Sequence, residues 1–215
     1  MIDPNDYIIT RKRKKYKFAK FALSPLCYEF DDWQKSSADV IEVGAGTALF
    51  SVELAERNPD KTFVAIDVKA DRLQKGAYEA EVRGLTNIRF LRARADQLSD
   101  CFLPRSVGTI WLTFADPFPK RRSAGRRMTH PTFLSIYQSL LRPGGSFIVK
   151  HDSPDFFAWS LEQLVRERWH IEELAFDLHD SDLAAKYDVT TTYERRWLTE
   201  GRTSSLVRAV PGTSR

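Results

Sequence analysis

Asp39-Val40-Ile41-Glu42-Val43-Gly44-Ala45-Gly46 decides the fold. A short run of strand formers stops at a Gly-x-Gly turn, and Thr47 to Arg57 beyond it reads as a helix halted by Asn58-Pro59. The unit then repeats. Thr62 to Ile66 reads as a strand ending at Asp67, and Ala70 to Arg83 as a helix with Leu73, Ala77 and Ala80 on one face and Gly84 as its cap. Ile88 to Leu91, Gly108 to Phe114 and Ser146 to Val149 read as further strands. Phe133, Ile136, Tyr137, Leu140 and Leu141 mark one helix and Ser153 to Arg168 another, with Pro154 near its start. Ile171 to Leu178 and Thr190 to Leu198 read as two closing strands.

Strands alternating with helices require a mainly parallel sheet covered on both faces. The expectation is an α/β domain over residues 39–215 with a Rossmann-like sheet of seven strands, preceded by a basic extension over residues 1–38. In such sheets ligands bind beyond the carboxyl ends of the strands. That rule singles out Gly44, Gly46, Asp67, Asp96, Asp116 and Asp152.

The composition bounds the function. The chain has 215 residues, 42% hydrophobic and 12% aromatic, which suits one globular domain. No apolar run approaches the roughly 18–20 residues of a membrane span, and the start of the chain has no apolar signal core. Cys27 and Cys101 stand far apart, in no metal-ligand spacing, and read as buried thiols in a reducing, cytoplasmic setting. The four histidines show no ligand spacing either, so no metal is expected.

The net charge is +4, yet its distribution is uneven. Residues 11–20, RKRKKYKFAK, hold seven of the 33 basic side chains and residues 120–127, KRRSAGRR, hold five, with no acid in either run. The rest of the chain carries 21 basic against 29 acidic side chains. Focused positive charge on an acidic body points to a polyanion, so Arg11, Lys12, Arg13, Lys14, Lys15, Arg122, Arg126 and Arg127 are expected to meet the phosphates or other anionic groups of such a partner.

At the first turn, Leu49 stands where a dinucleotide fingerprint needs its third glycine, which weakens a pyrophosphate cradle. Asp67, 21 residues after Gly46, is placed for ribose hydroxyls. Glu42 beside the turn suits a cationic methionine end, and Asp96 an adenine amino group. S-adenosylmethionine fits these residues better than NAD. The bland alternative is a plain α/β fold whose glycines make turns and whose acids cap helices.

The fourth strand runs into Asp116-Pro117-Phe118-Pro119-Lys120-Arg121-Arg122, a loop stiffened by two prolines. This stretch resembles the D-P-W-P-K-x-R-H-x-K-R-R segment of bacterial tRNA (guanine-N7)-methyltransferases, the TrmB family, matching at Asp116, Pro117, Pro119, Lys120, Arg122, Arg126 and Arg127. Thr191-Thr192-Tyr193-Glu194 resembles the family's T-x-F-E, and Glu42-Val43-Gly44-Ala45-Gly46 its E-x-G-x-G. Departures are Ala48 for a third glycine, Ala115 for proline, Phe118 for tryptophan, Ser123 for histidine, Gly125 for lysine and His151 for threonine. The resemblance implies a class I methyltransferase fold and methyl transfer to N7 of guanosine at tRNA position 46. It implies cofactor contacts at Glu42, Asp67, Asp96 and Asp116, and substrate contacts at Lys120, Asp152, Thr191, Thr192, Tyr193 and Glu194. Asp116 would also be the active-site acid, in a monomer or homodimer. Two other readings compete: an adenine or cytosine amino-methyltransferase, whose aromatic follows both prolines rather than sitting between them, and a catalytically inert RNA-binding protein.

Overall fold

The computed structural model describes residues 12–191, 194, 198 and 200–212, and the side chains from Lys15 onward. The chain runs α1 (Lys12–Leu23), β1 (Cys27–Glu29), β2 (Ser36–Val43), α2 (Leu49–Arg57), β3 (Phe63–Asp67), α3 (Ala70–Val82) and β4 (Ile88–Arg92). It continues through α4 (Leu98–Cys101), β5 (Phe102–Thr113), α5 (Pro131–Leu140), β6 (Leu141–His151), α6 (Pro154–Arg166), β7 (Trp169–Ala175) and β8 (Ser205–Pro211). The strands form one sheet in the order β1-β4-β3-β2-β5-β6-β8-β7. Each pairing from β1 to β6 is parallel, while β8 runs antiparallel to both β6 and β7.

The sheet therefore has eight strands rather than the expected seven. The additional strand is β1, at the edge beside β4. Much of the expected N-terminal extension is built into the domain. Phe18 and Phe21 of α1 are buried in the same apolar cluster as Leu73 and Ala77 of α3, and Trp33 donates its Nε1–H to the Cys101 carbonyl (2.8 Å).

The closing strand also lies elsewhere. Thr190 to Leu198 alternates polar, β-branched and aromatic residues and so imitates a strand, but Glu194 and Leu198 have helical backbone. Thr191 and Glu194 make the reciprocal bonds of a capping box: the Thr191 hydroxyl accepts from the Glu194 amide (3.0 Å), and the Glu194 carboxylate accepts from the Thr191 amide (3.1 Å). The strand is Ser205–Pro211, and β7 ends at Ala175, short of the expected Leu178.

Alternation along the strands divides the core. Ile41, Val43, Ile110, Leu112, Phe147 and Val149 face α5 and α6. On the opposite face Ala65 and Phe90 meet α1, α2 and α3, while Trp111 and Ile148 meet Phe50, Leu178 and Tyr187. Val40 and Glu42, Trp111 and Thr113, and Ile148 and Lys150 share this second face, because side chains two apart point the same way. Its apolar positions end in polar ones where the strands reach their carboxyl ends.

Chain direction across the sheet reverses between β2 and β5. From β2 the chain builds outward through β3 and β4, then returns to β5 on the other side. A crevice opens at such a point beyond the strand ends.

Candidate active site

The Gly44 to Ala48 turn fills the end of that crevice. Gly44 (φ 73°) and Gly46 (φ 57°) take left-handed backbone, and a Cβ on Gly44 would sit 3.4 Å from the Met128 thioether. Ala48 is also left-handed (φ 55°), which delays α2 to Leu49 rather than Thr47. Asp67 holds the turn: its carboxylate accepts the Gly46 amide and the Lys69 amide, each at 2.8 Å.

Glu42 is buried behind the glycines. It accepts from Ser51 of α2 (2.5 Å) and from the Thr113 hydroxyl of β5, so one oxygen ties β2 to α2 and the other ties β2 to β5 across the reversal. Burial pushes its carboxyl up to about 7. The Ser51 and Thr113 hydrogen bonds oppose that rise, and the Asp67 charge adds to it. A hollow of about 70 Å³ lies against it, lined among others by Gly44, Gly46, Arg72, Phe114 and Thr191. The structure thus brings Glu42, Gly44, Gly46 and Thr191 together.

Asp67 borders this group through its bond to Gly46. Asp96 stands apart from the hollow in a 3₁₀ turn and is engaged by Arg94 through two bonds of 2.9 and 3.0 Å, which hold its carboxyl below the usual range.

The loop after β5 is strained. Phe114 (φ 48°) and Phe118 (φ 41°) are bulky residues in left-handed backbone on either side of Asp116. Three contacts hold it. The Phe114 amide donates to the Lys150 carbonyl (2.9 Å). His151 Nε2 lies 2.8 Å from the Ala115 carbonyl. Arg127 donates to the carbonyls of Pro117 (3.1 Å) and Phe118 (3.1 and 3.3 Å) while its guanidinium lies 4.5 Å over the Trp159 ring. Arg127, expected at a phosphate, is therefore spent on the loop itself. Asp116 is exposed, and among the described residues its carboxylate makes no hydrogen bond or ion pair.

Lys120 and Arg122 are exposed beside a 3₁₀ turn over Arg121–Arg126, and Arg126 stacks 5.0 Å over the Phe118 ring. Asp152 lies 3.4 Å from His151 Nδ1 and 3.9 Å from Arg202. Lys15 is exposed on α1. Lys12, Arg13 and Lys14 lie in the same helix, while Arg11, Thr192 and Tyr193 lie outside the described residues. Thr191 and Glu194 turn their polar groups inward on the capping box.

Sequence reasoning missed Ser51, Thr113, Met128 and Arg72. Period two from Trp111 puts Thr113 on the face of Glu42, so that signal was present; the others depend on tertiary approach. Among the described residues no group of three or more His, Cys, Asp or Glu could hold a metal ion, and no helix is long and apolar enough to cross a membrane.

A parallel sheet closed by one reversed strand, with a glycine turn and buried acid at its switch point, defines a class I methyltransferase. A family model described as "Putative methyltransferase" matches residues 36–206. The chain is similar to the tRNA (guanine-N(7)-)-methyltransferase of Brevibacillus brevis, 34% identical over 197 residues that span 90% of this chain and 91% of that protein. It is similar to the enzyme of the same name from Cytophaga hutchinsonii, 36% identical over 165 residues and 75% of each chain. The chain belongs to the tRNA (guanine-N(7)-)-methyltransferase family. The fold is shared with the 16S rRNA methyltransferase KamB (TM-score 0.62, 18% identity, 85% of this chain and 90% of that one). It is shared too with the 16S rRNA (adenine(1408)-N(1))-methyltransferase of Catenulisporales acidiphilia (TM-score 0.60, 14% identity, 100% and 96%).

Proposed function

We propose that this protein transfers the methyl group of S-adenosylmethionine to N7 of a guanosine in tRNA, at position 46 of the variable loop, in the cytoplasm. The observation that supports it most is the pairing of a buried Glu42 behind a glycine turn with an exposed Asp116 beyond the neighbouring strand end, whose carboxylate makes no hydrogen bond or ion pair among the described residues.

The residues fit the cofactor. Glu42 is a buried carboxylate beside a hollow that the absence of a Cβ at Gly44 and Gly46 leaves open. It suits a cationic methionine end, and the unused lone pairs of Asp67 suit ribose hydroxyls. Asp96 gives Arg94 one lone pair on each oxygen and keeps the others for an adenine amino group. When bound, the cofactor supplies an electrophilic methyl on a sulfonium.

Guanine N7 has an in-plane lone pair and no proton, so the chain needs no general base. Its task is to position the base and stabilise charge. Asp116, in a loop held by Arg127 and His151, and Asp152 accept the guanine N1–H and amino hydrogens and offset the positive charge that develops on the ring. Lys120, Arg122, Arg126 and the basic residues of the N-terminal run hold phosphates. Phe18 and Phe21 seat α1 on the domain.

Methylation of unmodified tRNA transcript with labelled cofactor, followed by mapping of the product nucleoside, tests the reading. N7-methylguanosine at position 46 is expected. N6-methyladenosine, or no label in tRNA, sinks it. The Asp116→Ala protein should lose most of the rate, and near-normal turnover would remove Asp116 from its role.

A further inference from the structure

Lys150 of β6 is a lysine with 0% exposure on the sheet face that Glu42 and Thr113 share. Its ammonium lies 2.6 Å from Glu194 Oε1 and donates to the Val189 carbonyl (3.2 Å). Burial draws Lys150 toward its neutral form, and the Glu194 charge opposes that. Glu194 is also at 0% exposure. Its Oε1 meets His179 Nε2 (2.9 Å) as well as Lys150, and its Oε2 takes the Thr191 amide (3.1 Å). Among the described residues, every partner of this carboxylate is internal. A base could reach it only by dismantling the capping box and leaving a buried ammonium unpaired. Thr191, at the head of that box, lines the hollow beside Glu42 and Gly44.

We infer that Lys150 and Glu194 are positioning residues, a buried pair that seats the Thr191–Glu194 turn against the strand ends, and that Glu194 acts on the reaction through Lys150 rather than by touching guanine. The inference rests on the proposed methyl transfer to tRNA and deepens it. A buried ion pair is no more stabilising than apolar groups of the same volume, but losing one partner strands the other's charge. The pair is thus suited to fixing one arrangement of a turn that the short link from Val189 would otherwise leave free to shift.

The test compares Lys150→Met, Glu194→Gln and the double variant. Glu194→Gln strands the ammonium, and Lys150→Met takes the buried ammonium from the carboxylate and leaves it His179 and the Thr191 amide. The double variant is neutral at both positions, and its amide oxygen still accepts from Thr191. Each single change should lower kcat/KM for tRNA on the order of 10–100-fold, measured where all variants are folded, with cofactor affinity by calorimetry near wild type. The double variant should regain about tenfold over Glu194→Gln. A double variant no better than Glu194→Gln would mean that Glu194 reaches the base, and the inference falls. It falls equally if the single variants lose only melting temperature and keep kcat/KM. If a single variant does not fold, the double variant decides: kcat/KM above about a tenth of wild type supports the pair, and anything lower overturns it. The wild-type product is mapped in parallel. A different methylated base would sink the proposed function, and the variant comparison would then be read on that product.

Discussion

The Cβ of Ala48 lies 3.0 Å from the point where Gly76 would carry its own, in a contact between α2 and α3 that also brings the Thr47 carbonyl to 2.7 Å and the Phe90 ring to 2.8 Å of that point. Two small residues share one space. Gly76→Ala should therefore cost about 1–3 kcal/mol, because a backbone oxygen and a core ring must both move. Ala48→Gly should fall within about 1 kcal/mol of neutral, since relief of left-handed strain offsets lost methyl burial and added chain entropy. Denaturant unfolding of both variants checks this. A Gly76→Ala protein as stable as wild type would refute the shared-space reading.

Glu42 ties stability and ligand affinity to pH. Its carboxyl is raised from 4.5 to about 7, so between those values the native state holds a proton that the unfolded state has lost. Stability of the cofactor-free protein should fall as pH rises through that window, by roughly 2–3 kcal/mol in the limit. Glu42→Gln should abolish the fall. Affinity for the cationic cofactor should tighten as pH passes about 7 in wild type and stay flat in Glu42→Gln. Unfolding curves at pH 5 and 8, paired with calorimetry, read both. Parallel pH profiles for the two proteins would contradict it.

Arg122 and Arg127 should behave differently despite both belonging to the basic run. Arg122→Ala should weaken tRNA binding and flatten its log–log salt dependence by roughly one unit. Arg127→Ala should leave that slope unchanged and reduce kcat, since this guanidinium holds the Pro117 and Phe118 carbonyls. Filter binding across a salt series, with single-turnover rates, separates them. A lower slope for Arg127→Ala would return that residue to the phosphate contacts.

Tyr137 is fully buried, and among the described residues its hydroxyl has no hydrogen-bond partner. Tyr137→Phe should stabilise the protein by about 1 kcal/mol, because removing a buried unpaired hydroxyl lifts a desolvation cost while the ring keeps its place 4.9 Å from Phe147. A lower melting temperature would show that the hydroxyl is satisfied by bound water.

The parallel core of the fold was legible because β2, β3, β4 and the buried second halves of β5 and β6 are short apolar runs, and α3 and α6 end or begin at Gly84 and Ser153-Pro154; the exposed first halves of β5 (from Phe102) and β6 (from Leu141) carry no such pattern. Gly84 makes a full Schellman cap: its amide meets the Glu81 carbonyl (3.0 Å), and the Leu85 amide meets Ala80 (2.9 Å). The C-terminal third was harder. Thr191-x-x-Glu194 sits among residues with high strand preference, and only its reciprocal hydrogen bonds turn the chain helical. β1 spans three residues and gains its meaning from the edge of β4, which no local pattern announces. At the site, the strand-end acids could be named from the sequence, but their present partners could not. Arg94 on Asp96, Thr113 on Glu42 and Lys150 on Glu194 are tertiary facts.

His151 joins two strand ends with a single ring. Nδ1 accepts the Ser153 amide (2.9 Å), which leaves Nε2–H for the Ala115 carbonyl, and burial lowers the basicity of the ring. Both ring nitrogens are thus committed to backbone groups, while the Asp152 carboxylate 3.4 Å from Nδ1 opposes the effect of burial. The ring fastens the two aspartate-bearing loops to each other, and a side chain lacking two such atoms would release the Ala115 carbonyl and the Ser153 amide together.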